Sequence, residues 1–186
     1  MTSILRYAAV SCALTMVSTF ALADDRPSPR VLNEIALDID HDGKPDRAAL
    51  VQTSEGTDAD LYIYLATETL DLSRTPAILK KGLTTTRILG FESDAKGALI
   101  VVSGCGGCSN DYATTLTIVY RRGQFWIGGV TYDWDTRTGT GSCDINFLTG
   151  KGVRSQGLVK GKPIKAKFAP IKLADWSEAK RPKACN

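Results

Sequence analysis

The sequence predicts an all-β single domain of about ten mostly antiparallel strands, arranged as a sandwich or a barrel, with room for one short C-terminal helix. Three observations carry this. Short runs of β-branched and aromatic residues recur along the chain, as in Leu61-Tyr62-Ile63-Tyr64-Leu65 and Leu116-Thr117-Ile118-Val119-Tyr120. Clusters of Gly, Pro, Asn and Asp separate them. No sustained helical periodicity of apolar residues appears before Asp175.

In chain order, residues 1–23 read as a signal peptide. Arg6 supplies the positive start, Tyr7 to Leu22 is uncharged and apolar or small, and Ala21-Leu22-Ala23 offers a small-residue cleavage site. That run is too short and too rich in Ser and Thr for a membrane span, and no second stretch is apolar enough to form one. Residues 24–30 are an exposed lead-in marked by Arg26-Pro27-Ser28-Pro29, and residues 31–186 form the domain. The formal net charge is +3, and removing residues 1–23 takes away one arginine and no acid, which is far from the basic footprint of a nucleic-acid binder. The expected location is periplasmic or secreted, with no membrane span in the mature form.

Val31 to Leu37 reads as the first strand and Ala48 to Val51 as a short buried one. Leu61 to Leu65, Ala77 to Leu79, Thr84 to Phe91 and Ala98 to Val102 follow as further strands, the last two joined by a polar turn at Ser93 to Gly97. Arg121-Arg122-Gly123-Gln124 between Tyr120 and Phe125 signals a hairpin. Its second strand continues through Val130 to Tyr132, and Asp135 to Ser142 reads as a loop. Val153 to Val159 and Ile164 to Phe168 are expected to pair across Lys160-Gly161-Lys162-Pro163. Asp175-Trp176-Ser177-Glu178 has the Asp-x-x-Glu spacing that caps a short terminal helix.

Four cysteines follow the leader: Cys105, Cys108, Cys143 and Cys185. An even number in an exported chain reads as two disulfides. Three connectivities exist. The Gly-rich spacing of Cys105 and Cys108 favours their pairing, leaving Cys143 to Cys185. The same Cys105-Gly106-Gly107-Cys108 spacing is that of a thiol–disulfide redox site, the alternative function, but two glycines are unsuited to the helix N-terminus that activates such thiols.

The densest chemistry lies in Asp38-Ile39-Asp40-His41-Asp42-Gly43-Lys44-Pro45-Asp46. Four carboxylates this close repel one another, and a hard divalent cation with flexible oxygen coordination offsets them. Calcium (Ca2+) is the expected cofactor, held by the side chains of Asp38, Asp40, Asp42 and Asp46 and the carbonyl of Lys44, with Gly43 making the turn. Helices are absent on both sides, and the twelfth place is Ala49 where an EF-hand needs Glu.

The Asp-x-Asp-x-Asp-Gly-x-x-Asp loop followed by a strand resembles an FG-GAP-type repeat, the calcium-binding blade unit of integrin-like β-propellers. The likeness spans about Ala36 to Leu65. It implies calcium ligation at the same five positions and adds a partial propeller-like arrangement to the candidate folds. A full propeller needs several such repeats, and this chain has one. The rest of the chain resembles exported bacterial proteins of unassigned activity that share the run Gly141-Ser142-Cys143-Asp144 to Gly150-Lys151-Gly152.

Catalytic machinery is sparse. His41 is the only histidine, so Ser-His-Asp and Cys-His nucleophiles cannot be assembled. No phosphate-binding glycine loop is present and no carboxylate pair stands out. Trp126, Tyr132 and Trp134 form a candidate ligand-binding platform for a glycan if they share a strand face. The sequence thus points to a non-catalytic binding module for a protein or an envelope polysaccharide. A further alternative is an inhibitor of a secreted hydrolase acting through the Asp135 to Ser142 loop.

Overall fold

A computed structural model describes residues 29–52, 58–157 and 159–185. The expected leader, most of the lead-in and part of the Ser54 to Asp58 turn lie outside the described residues. The chain is all-β, with two open antiparallel sheets. The first is a four-stranded meander of β1 (Arg30–Leu37), β2 (Asp46–Gln52), β3 (Ala59–Tyr64) and β4 (Ile78–Thr84), in that order. The second contains β5 (Ile88–Ser93), β6 (Leu99–Cys105), β7 (Asp111–Arg121), β8 (Gln124–Thr136), β9 (Gly139–Asn146), β10 (Lys151–Gln156) and β11 (Val159–Pro163), each paired with the next. A two-residue strand, β12 (Ile171–Lys172), pairs with the start of β8.

One contiguous core draws on both sheets. Ala48, Leu50, Leu61 and Ile63 come from the small sheet, and Leu99, Val101, Ile118, Ile127, Val130 and Ile145 from the large one, all essentially inaccessible. In the long hairpin the residues alternate in and out as the pleat requires, with one interruption. Thr117 faces Gly129 and Ile118 faces Ile127, so Gly128 is an extra residue, a β-bulge. The bulge puts Phe125 and Ile127 on the same face as Val130, Tyr132 and Trp134, while Trp126 faces the other way.

Three expectations change. Asp175 to Glu178 does not begin an α-helix; the C-terminal segment makes three short 3₁₀ turns, at Leu173–Asp175, Glu178–Lys180 and Lys183–Cys185. Trp176 and Leu173 must both be buried, and Pro182 forbids a helix through Arg181. The hairpin after Lys151 turns earlier than expected, at Gly157 (φ +56°), so Lys160 to Pro163 is strand and Ile164 to Phe168 is not. The loop from Asp135 to Ser142 is almost all strand, closed by a tight turn at Arg137 and Thr138. Thr136 Oγ1 accepts the Thr138 N–H at 3.3 Å and donates to the Gly139 carbonyl at 3.0 Å, which holds that turn shut. Among the described residues no helix is long and apolar enough to cross a membrane.

Residues 171–185 act as a strap. They start beside Ile127 and Trp126 on β8, bury Leu173 and Trp176, and end with Cys185 bonded to Cys143 on β9. Midway, the Glu178 carboxylate accepts hydrogen bonds from Thr84 Oγ1 at 2.9 Å and Thr85 Oγ1 at 2.8 Å, where β4 leads to β5. The strap therefore ties the two sheets together.

Candidate functional site

The acidic loop joins β1 to β2 and is pinned at its end by Asp46. That side chain is completely buried, and its two oxygens accept the backbone N–H groups of Ile39 and Ala66, each at 2.8 Å. Ile39 is itself core, so the two contacts fasten the loop's start and Ala66, two residues beyond β3, to one carboxylate. Burial pushes the Asp46 carboxyl above the usual carboxylate range, while the N–H groups of Ala66 and Ile39 pull it down. Asp46 is occupied as an internal bracket for the backbone.

Asp38, Asp40 and Asp42 do converge. An oxygen from each lies within 4.8 Å of the others, and the side chains are partly or fully exposed. The loop is curled by its own carboxylates. The Asp42 N–H donates to Asp38 Oδ1 at 3.1 Å and to Asp40 Oδ1 at 3.2 Å, and the Gly43 N–H donates to Asp38 Oδ2 at 3.1 Å. His41 (φ +62°) and Gly43 (φ +82°) adopt the left-handed backbone this curl requires. Each carboxylate oxygen still has a lone pair to offer. Internal neutralisation is slight: Lys44 Nζ is 3.5 Å from Asp42 Oδ2 on the open surface, where such pairs contribute little. Arg47 turns away to Glu34, at 3.3 Å.

The loop is braced from the large sheet. Gly97 (φ +74°), in the turn between β5 and β6, fits so closely that a Cβ there would stand 2.7 Å from the Asp38 carbonyl oxygen and from the His41 ring. His41 thus packs outward against the neighbouring sheet rather than toward the carboxylates. The structure brings together three of the five expected calcium ligands, Asp38, Asp40 and Asp42; the Asp46 carboxylate is close enough to Asp40 to feel its charge but is taken up by backbone N–H groups.

The cysteines pair as Cys105 with Cys108 and Cys143 with Cys185, with Cα atoms 5.8 Å and 5.3 Å apart. Cys143 and Cys185 are buried. Cys105 ends β6 and the chain turns directly into β7, so no helix N-terminus lies at the pair. Cys105 instead borders a groove shared with Asp111, Asp133 and Asp135.

The aromatic platform divides. Trp126 faces a depression with Arg121, Arg122, Leu148 and Pro170, while Tyr132 and Trp134 stack on the opposite face at 5.7 Å between ring centres. The Gly128 bulge is the reason. Both stacked rings already carry a cation. The Arg181 guanidinium sits 4.0 Å over the Tyr132 ring and that of Arg154 sits 5.4 Å over Trp134. Arg154 also donates from Nη1 to the Ala184 carbonyl at 3.0 Å. Gly141 allows Trp134 to lie flat, since a Cβ there would overlap its ring. Arginine, tyrosine, tryptophan and arginine thus form a ladder that clasps the strap to the sheet. Reading Tyr132 and Trp134 as neighbours needs only the alternation of a strand. Arg154, Arg181 and Tyr112, whose ring lies 6.1 Å from Tyr132, enter through pairings that carry no local signal. Compared with family models, curated proteins and solved structures, the chain matches none of them.

Proposed function

We propose that the protein is an exported, calcium-binding β-domain that works as a non-catalytic binding module for a protein or an envelope polysaccharide. The observation that carries the calcium part is the convergence of Asp38, Asp40 and Asp42 within 4.8 Å on a surface loop whose lysine and arginine neighbours leave most of that charge uncompensated. The donor set is all oxygen and open to water, which suits a hard cation needing six to eight ligands. Three carboxylates, the Lys44 carbonyl and solvent would fill that shell. Asp46 serves the site indirectly by fixing both ends of the loop. The four-stranded meander that carries the loop has the strand order of a propeller blade, in keeping with the FG-GAP resemblance, although here it packs on a large open sheet.

Calcium bound at ten times its dissociation constant stabilises a fold by about 1.4 kcal/mol. Extracellular modules bind it with dissociation constants of about 10⁻⁴–10⁻³ M. The test is a pair of thermal melts in excess calcium and in chelator. The expected result is a higher Tm with calcium in the native chain and superimposed curves in an Asp38→Asn/Asp40→Asn variant. Superimposed curves for the native chain would sink the reading.

A further inference from the structure

The outer face of the large sheet carries an arrangement the core does not explain. In the β7–β8 register Asp111 stands directly opposite Asp135 and Ala113 opposite Asp133, and cross-strand partners share a face. Asp144 on β9, opposite Thr131, adds a fourth carboxylate to that face. Like charges placed opposite one another destabilise a sheet, so they call for compensation. Among the described residues no lysine or arginine forms an ion pair with any of the four. Asp144 accepts a hydrogen bond from Thr131 Oγ1 at 3.2 Å. Asp111 Oδ1 is shielded from solvent and accepts no hydrogen bond. A carboxylate oxygen stripped of water and given no donor is costly to leave so. Burial, and then the charge of Asp144, pushes the Asp133 carboxyl above its ordinary range.

These carboxylates do not stand on a bare polar surface. Asp111, Asp133 and Asp135 edge a groove of about 410 Å³ whose lining is mostly apolar, floored by Ala113 and walled by Leu89 and the Cys105–Gly106 corner. Leu89 is 44 % exposed, on β5 at the edge of the sheet. The Cys105–Cys108 bridge stiffens the corner. An apolar floor beside uncompensated carboxylates matches a ligand that is itself apolar and cationic along a short length.

We propose that this groove docks an extended, basic polypeptide segment, laying an apolar side chain on Leu89 and Ala113 and setting a lysine or arginine against Asp111 and Asp135. The proposal deepens the binding-module reading, on which it rests, by naming a basic polypeptide as the partner class. Salt weakens the complex, because the charges at the rim are screened.

The test uses the full chain in excess calcium at low ionic strength and a short fluorescent peptide alternating lysine with valine, followed by polarisation. A glutamate–valine peptide is the control ligand. The expected result is binding of the lysine peptide alone, weakened about tenfold or more by Asp111→Asn/Asp135→Asn and again by Leu89→Ser. Glu68→Gln/Glu92→Gln, which removes exposed charge elsewhere, should leave affinity unchanged. The inference is overturned if the native chain does not bind the lysine peptide, if the groove variants bind it as well as the native chain, or if the Glu68/Glu92 variant loses as much. Displacement of the peptide by a neutral oligosaccharide would assign the groove to a glycan and overturn it too. Melts of every variant with calcium and chelator accompany the titrations. A preserved calcium shift without peptide binding removes the groove alone, and peptide binding without a calcium shift removes the calcium reading alone.

Discussion

The acidic loop and the aromatic ladder are both dense with chemistry in the sequence, yet the fold treats them in opposite ways. In the ladder every group finds a use at home: Arg181 covers Tyr132, Arg154 covers Trp134 and reaches Ala184, and the strap is held down. In the loop Asp46 is buried and fully used as a backbone bracket, while Asp38, Asp40 and Asp42 curl the loop through its own N–H groups and still face water and one another. The difference teaches that a cluster of suggestive residues becomes a candidate site only after the fold's own demands on it are subtracted. Aromatic rings with cations on their faces have already been spent; three carboxylates that share one exposed lysine have not.

The sharpest way to test the contrast is to cut the strap. A Cys143→Ser/Cys185→Ser variant should lose about 4 kcal/mol of stability by the loop-entropy model, read by denaturant unfolding. Its calcium shift should survive, because the loop is braced by Gly97 and Asp46 rather than by the strap. Loss of that shift would show that the two regions are one unit.

Next in size is Asp46→Asn. An amide can accept from only one of Ile39 and Ala66 and turns a donor toward the other, so a loss of about 2 kcal/mol is expected, calcium or no calcium. If the variant is as stable as the native chain in chelator and weaker only in calcium, Asp46 is a ligand after all and its role as a bracket is wrong. Removing the cation over Tyr132 with Arg181→Ala should cost about 1 kcal/mol, read by denaturant unfolding. An unchanged midpoint would show that the ladder does not hold the strap down.

The smallest effect concerns pH. Asp133 has its folded pKa raised by burial and Asp144, so its protonated form is favoured in the folded state. Its contribution to stability is greatest in acid and is lost as pH rises through the folded pKa. Asp133→Asn should therefore raise Tm slightly near neutrality, by about one degree, with no gain in acid below the unfolded carboxylate range. A constant difference at all pH values would locate the effect in packing instead.

Much of this architecture was legible from residue order. The runs at Leu61 to Leu65 and Leu116 to Tyr120, the Arg121 to Gln124 turn and the cysteine pairing all follow local rules, and the structure agrees with each. What local rules missed has a common cause. Gly128 adds one residue to β8 and reverses a face, and nothing in Ile127-Gly128-Gly129-Val130 says which glycine bulges. Asp175 to Glu178 has the spacing of a helix cap, but Glu178 is claimed by Thr84 and Thr85, more than ninety residues away in sequence. The loop's motif was plain, whereas the division of labour between Asp46 and its neighbours depends on Ala66, beyond the end of β3.

One further consequence lies in β8. From Gln124 to Asp135 it is paired with β7 on one side, and on the other its edge is held first by β12 and then by β9. β2, inside the meander, is enclosed on both edges to a similar degree. The amides of these two strands can reach water only by events that part several strands at once, so they should be among the last in the molecule to exchange their hydrogens. The outer strands β1, β4, β5 and β11 can fray singly. The acidic loop runs from edge strand β1 into enclosed β2, so a cation held there would act at the point where a strand that can fray is fastened to one that cannot.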